Sequence, residues 1–178
     1  MAYSRNNRKK SINSFKWLFS LALLGAIAFL VITLEKDELD QPLRGFVTAS
    51  DGDSLKMGSQ QIRLLGIDAP ELYQKCKFKN GKTWECGRVS HSRVSQLVKG
   101  KELVCIGDQY DRYNRLLAKC SVRDKDIGGI LVLEGLAVSY RGSGDYLSEQ
   151  KNAQRNNSGM WSGEFENPQD WRRNNPRN

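Results

Sequence analysis

Between residues 46 and 122 the apolar positions fall in short alternating runs, the pattern of half-buried β-strands. Phe46, Val47 and Thr48 start one strand. Residues 54–57 and 60–65 flank Gly58-Ser59, a good two-residue hairpin turn. Residues 102–106 and 116–122 are two more strands, joined by GDQYDRYNR. Helical spacing is found over 87–98, with Val89, Val94, Leu97 and Val98 near one face, and over 127–136 despite its paired glycines. Residues 147–156 predict a third helix, polar and surface-lying. The tail from Met160, with Trp161, Phe165, Pro168 and Trp171, is aromatic enough to pack back on the domain. Five short strands with interspersed helices predict a mainly β protein with helices, built on a small closed barrel, because closure removes exposed sheet edges.

The N-terminus follows a different pattern. Residues 17–34, WLFSLALLGAIAFLVITL, carry no charge. As a helix this segment would be roughly 27 Å long, close to the hydrocarbon thickness of a bilayer. Basic residues precede it and the acidic EKDELD follows, so an anchor would keep the N-terminus in the cytoplasm and the domain outside. A cleaved signal peptide is the alternative, disfavoured by the length of the apolar run and by the lack of a small-x-small site after Thr33. The expected division is a basic tail at 1–16, a transmembrane anchor at 17–34, a linker at 35–43 and a domain at 44–178.

That division changes the meaning of the charge. The chain of 178 residues has a formal charge of +8, but residues 1–34 hold five basic residues and no acid. The remainder is only mildly basic, with 23 basic and 20 acidic residues, so composition alone is weak support for a polyanionic partner. Four cysteines, Cys76, Cys86, Cys105 and Cys120, suit disulfides in an exported domain. Zinc is disfavoured, since there is no CxxC pair and His91 is the only histidine. Of three connectivities, Cys76–Cys86, clipping the loop KFKNGKTWE, with Cys105–Cys120 across the hairpin arms is favoured.

Chemistry concentrates in IRLLGIDAPE, residues 62–71. A strand with Arg63 in its middle breaks at Gly66 and delivers Asp68, Pro70 and Glu71. Charges resist burial, so this clustering makes sense where a strand end holds a cation and a phosphate together. Asp53 opens the preceding strand; with Asp68 and the Ala69 carbonyl it offers the oxygen donors that calcium prefers. Taken alone, Asp51-Gly52-Asp53 is more often a solvated turn. Arg63 reads either as a packed strand arginine whose head reaches solvent or as a bidentate phosphate clamp. A flat hairpin would point Asp53 and Arg63 to opposite faces, so a bulge or strong curl is needed to join them. In the second hairpin loop Asn114 tolerates positive φ and aims Arg115 back at the barrel. His91 lies away from these motifs and is read as structural.

In combination, DGDS at 51–54, IRLLGIDAPE at 62–71, DRYNRLLA at 111–118, LVLEGLAVSY at 131–140 and GMW at 159–161 resemble the staphylococcal nuclease (thermonuclease) family. WECG at 84–87 and the four cysteines look like its exported bacterial branch, in which those cysteines form two disulfides. The resemblance implies a five-stranded OB-fold barrel with about three helices and calcium-dependent hydrolysis of DNA and RNA, single-stranded or frayed regions preferred. By position it implies Asp53, Asp68 and the Ala69 main-chain oxygen as Ca2+ ligands. Arg63 and Arg115 become phosphate clamps, and Glu71 the residue that activates or orients the attacking water. Arg112, Tyr113 and Tyr140 line the nucleotide pocket. The rival reading is a membrane-anchored OB module that binds nucleic acid without cutting it. Loss of one of the five charged residues would be expected of such a module, and all five are kept. No obligate protein partner is evident.

Overall fold

The computed structural model describes residues 18, 20–30, 41–140 and 143–176, in two units divided after Gln41. In the first unit, residues 20–30 form helix α1, whose apolar side chains, Leu21, Leu24, Ile27 and Phe29 among them, are exposed. Among the described residues no helix is long and apolar enough to cross a membrane. Residues 1–16, part of the expected 17–34 span and residues 35–40 of the expected linker lie outside the described residues.

The second unit is mixed α and β around a nearly closed barrel. Strands β1 (Leu43–Phe46) and β2 (Thr48–Ala49) are one chain segment interrupted at Val47. The others of the main sheet are β3 (Ser54–Met57), β4 (Gln60–Leu64), β8 (Glu102–Tyr110) and β9 (Leu116–Val122), with β10 (Lys125–Asp126) appended to β9. Their order is β1-β8-β9-β4-β3-β2. Because β1 pairs with β8 and β2 with β3, the first segment closes the sheet on itself. Inside lie Leu55, Ile62, Leu64, Val94, Val98, Leu103, Ile127 and Leu131, each at most 2% exposed. Alternation accounts for this. In β9 every second residue, from Leu116 to Val122, points inward and is buried.

Three smaller pieces place the loops. β5 (Ile67–Asp68) pairs with β11 (Val138–Ser139), Asp68 opposite Val138. β6 (Cys76–Phe78) pairs with β7 (Thr83–Trp84) and with β12 (Gly163–Glu164). The helices are α2 (Cys86–Val98), α3 (Ile127–Leu133), α4 (Leu147–Arg155), a 3-10 turn at Gly159–Ser162 and α5 (Pro168–Asn174). Both disulfides form as expected, Cys76–Cys86 and Cys105–Cys120. The tail does pack back: Trp161 meets Phe165 edge-on and Met160 is fully buried with the first disulfide.

Several expectations need correction. The domain has four helices rather than about three, because Pro168 at the start of α5 and its Asn167 cap begin a helix in a stretch with no apolar period. Val89 is exposed at 43%, and Ser90 takes the inward position on α2. β8 runs four residues beyond Ile106 through a register shift between Ile106 and Gln109. Asp53 and Arg63 meet without a bulge in the hairpin, whose ladder is regular from Ser54 opposite Arg63 to Met57 opposite Gln60. Asp53 sits in the bend before β3, where strand alternation no longer dictates its direction.

Helix α2 lies under the site through two glycines. A Cβ on Gly52 would stand 2.7 Å from that of Ala69 and 2.5 Å from Ser90 Oγ; one on Gly87 would stand 1.7 Å from the Glu71 carbonyl oxygen. Replacing glycine by alanine in a helix ordinarily stabilises it by about 1 kcal/mol. At position 87 the obstacle is backbone, so overlap outweighs propensity. Gly87→Ala is expected to destabilise the domain by about 1–3 kcal/mol, read from urea unfolding.

Candidate active site

Arg63 stands in β4 between two buried acids. Its Nη1 donates to Asp53 Oδ1 at 2.9 Å and its Nη2 to Asp68 Oδ1 at 2.9 Å. Asp53 is 4% exposed and Asp68 2%, so neither carboxylate can rely on bulk water. Asp53 also accepts bonds from Ser54 Oγ and from the Ala69 N–H. The fold brings the three together because Asp53 and Arg63 flank one ladder while β11 fixes Asp68 just beyond the end of β4.

The parallel pairing of β4 with β9 adds Arg115. Ile62 faces Leu116, so Arg115 comes up beside the start of β4, and its side chain runs back toward Ser54, the residue opposite Arg63. Asn114 has φ of 61°, the left-handed conformation expected of it. The turn is locked by Asp111, which accepts from the Tyr113 and Arg115 N–H groups and from Arg115 Nε at 2.8 Å. Arg115 Nη1 reaches Ser54 Oγ at 3.2 Å. Slight burial would raise the Asp111 carboxyl, but these bonds hold it below its ordinary range.

Glu71 follows Pro70 in a turn held by Gln74, a fully buried side chain. Gln74 Oε1 accepts from the Glu71 N–H, and its Nε2 donates to the Glu166 carbonyl at 2.7 Å. That second bond ties the turn to the chain just before α5. From α5, Arg172 reaches into the site: Nη1 to Glu71 Oε1 at 3.1 Å and Nη2 to Asp68 Oδ2 at 2.9 Å. Burial would lower the Arg172 guanidinium, yet bonding to Asp68 and Glu71 leaves it above its usual value. Arg63 likewise is lowered by burial and more than restored by Asp53 and Asp68.

Asp51, Arg63, Glu71, Arg115 and Arg172 line one cleft of about 1190 Å3, and Asp53 and Asp68 lie behind it, bonded to Arg63. Arg112, Tyr113 and Tyr140 line it too. The Tyr113 ring has Arg112 at 4.7 Å and Arg115 at 5.6 Å from its centroid. Tyr140 is placed by its N–H bond to the Gly66 carbonyl at 2.8 Å. Sequence reasoning missed Arg172, Asp111 and Ser54 as parts of the site. Asn167-Pro168 was the available signal for α5, whereas nothing in WRRNNPRN distinguishes Arg172 from its neighbours.

Burial pushes the Asp53 carboxyl up to about 7, against the pull of Arg63 and with help from Asp51 and Asp68 nearby. A carboxylate under that strain gains from a further positive charge. Asp53 and Asp68 are hard oxygen donors, suited to calcium with main-chain oxygens and water completing the shell. Among the described residues no group of three or more histidine, cysteine or acidic side chains could hold a metal ion. Two carboxylates alone fall short of a calcium shell, so a cation there would need backbone and water oxygens as well. The rest of the cleft is cationic and aromatic, which suits a phosphate chain carrying bases.

A model of the family described as Staphylococcal nuclease homologue matches residues 61–163. The chain belongs to the staphylococcal nuclease family. An uncharacterized endonuclease of Haemophilus influenzae is 35% identical over 136 residues, covering 71% of this chain and 71% of that protein. The succinoglycan biosynthesis protein ExoI of Rhizobium meliloti is 28% identical over 146 residues, covering 80% and 76%. The probable endonuclease lcl3 of Sclerotinia sclerotiorum is 28% identical over 151 residues, covering 73% of this chain and 54% of its own length. The family match ends before α5, so Arg172 lies beyond it.

In this nuclease-family site Arg63 also stabilises the fold. Arg63→Ala would leave Asp53 and Asp68 buried beside one fewer guanidinium. Breaking a buried pair in this way costs about 3–5 kcal/mol, whereas Arg63→Lys keeps the charge and is expected to cost less than half of that. Urea unfolding of the two variants measures both.

Proposed function

We propose that the protein is a calcium-dependent endonuclease that hydrolyses phosphodiester bonds of DNA and RNA outside the cytoplasm. Membership of the staphylococcal nuclease family and the endonuclease names of relatives support a nuclease. The observation that carries the finer reading is the convergence of Asp53, Arg63, Asp68, Glu71 and Arg115 around one cleft, within bonded contact of one another or of shared partners.

In-line attack of water on a phosphodiester places negative charge on the non-bridging oxygens. Arg63 and Arg115 present guanidinium groups to that charge, fixed beforehand by Asp53, Asp68 and Asp111. A calcium ion held by Asp53, Asp68 and the Ala69 main-chain oxygen would add Lewis-acid stabilisation of the same charge. Glu71, on the cleft wall, orients the attacking water or takes its proton. Tyr113, Tyr140 and Arg112 offer stacking and phosphate contacts to the flanking nucleotides, which favours single-stranded or frayed regions.

The extracytoplasmic location rests on two supports. Two disulfides suit an oxidising compartment. The uncharged stretch 17–34 behind a basic head suits a membrane anchor that leaves the domain outside, with α1 supplying an apolar surface to it.

The test is cleavage of single- and double-stranded DNA and RNA by the oxidised full-length protein in detergent, with calcium or with a chelator. Calcium-dependent cleavage is expected, lowered roughly 100-fold or more in Glu71→Gln while that variant's thermal unfolding stays native-like. Binding without cleavage by a folded sample would establish the binding module instead.

A further inference from the structure

Both carboxylate oxygens of Asp68 are held by guanidinium groups, Oδ1 by Arg63 and Oδ2 by Arg172. A cation that binds Asp68 must displace one of these guanidinium groups or crowd it at short range, where like charges repel. Arg63 is the poorer candidate to leave, since it lies mid-ladder in β4, has a 17% exposed side chain and is held by Asp53 as well. Arg172 is 33% exposed and projects from a seven-residue helix near the chain end. Its second partner is Glu71, which the proposed mechanism needs facing water.

The contact is built into the fold. Gln74 binds the Glu166 carbonyl, Asn167 caps α5 by accepting from the Gln169 N–H, and β12 pairs with β6 upstream. The same buried glutamine thus positions both the Glu71 turn and the start of the helix that carries Arg172.

We propose that Arg172 is a positioning residue of the hydrolytic site, which holds Asp68 and Glu71 in place and is exchanged for the catalytic cation when that cation binds. This rests on the calcium reading above. Cation binding and the release of Glu71 from Arg172 then become one event. Arg172 acts on turnover through Asp68 and Glu71, so its signature is the calcium affinity itself.

Calorimetric titration of calcium into the full-length protein reads this directly, without substrate. Arg172→Gln is expected to bind calcium roughly tenfold more tightly, because the competing ion pair is gone. Arg172→Lys, which keeps the charge but cannot span both carboxylates, should fall between. Arg173→Gln, an equal charge change one residue away on a side chain paired with Asp170, should stay within about twofold of the native value. In the unaltered protein, calcium should shift the guanidinium 15N resonances of Arg172 while leaving those of Arg93, paired with Glu134, unmoved. That measurement holds even if a substitution disturbs folding. Unchanged or weaker calcium binding in Arg172→Gln, an equal gain in Arg173→Gln, or an Arg172 signal indifferent to calcium would each overturn the proposal while leaving the nuclease reading intact. No calcium binding by the native protein would overturn the calcium reading and this proposal with it.

Discussion

One guanidinium shared between two buried carboxylates is the constraint to which the rest of the domain answers. Asp53, in the bend before β3, and Asp68, in β5, are almost wholly removed from water, a placement that only paired charge makes tolerable. Arg63 supplies the pairing from a strand whose neighbours on either side, β3 and β9, are fixed in register. The barrel positions the arginine, and the arginine in turn offsets part of the cost of burying both acids. Even so, burial leaves Asp53 short of positive charge. A further positive charge beside Asp53 would relieve that shortage, which the general basicity of the chain does not.

Much of this was legible in the sequence because the local chemistry agreed with the long-range result. The hairpin around Gly58-Ser59, the break at Gly66 and the positive φ of Asn114 each follow from residue type, and together they bring Asp53, Arg63, Asp68 and Arg115 close. The disulfide pairing was legible for the same reason: each bridge closes a local hairpin or loop. Less visible were features decided by tertiary contact. Val89 satisfies a helical apolar stripe, yet α2 turns Ser90 inward because that is the side pressed against Gly52 and Ala69. The extension of β8 depends on pairing across a register shift that no local pattern announces. Arg172 was unreadable, since its role is created by a glutamine and a main-chain carbonyl far from it in sequence.

The C-terminal segment has a core of its own. Cys76, Cys86, Val138 and Met160 form a second buried cluster, flanked by Trp84, Trp161 and Phe165. This cluster clamps the loop between β5 and α2 to the tail, and Gln74 lies beside it with its amide divided between Glu71 and Glu166. A disulfide, a small aromatic core and one amide therefore do for the Glu71 turn what the barrel does for Arg63. Reduction of Cys76–Cys86 would loosen this clamp without touching the barrel, whose own bridge joins β8 to β9.

The parallel pairing of β4 with β9 has a kinetic consequence. Ile62, Arg63 and Leu64 meet Leu116, Leu117 and Ala118 only after the intervening chain, including α2 and most of β8, has been laid down. Such non-local pairing is slow to form and is rewarded only when the loop between its partners has closed. That pairing sets Arg115 beside the strand that carries Arg63. A chain still emerging or partly folded has the motifs but no cleft, so hydrolytic competence arrives late, with barrel closure, and not with any local segment.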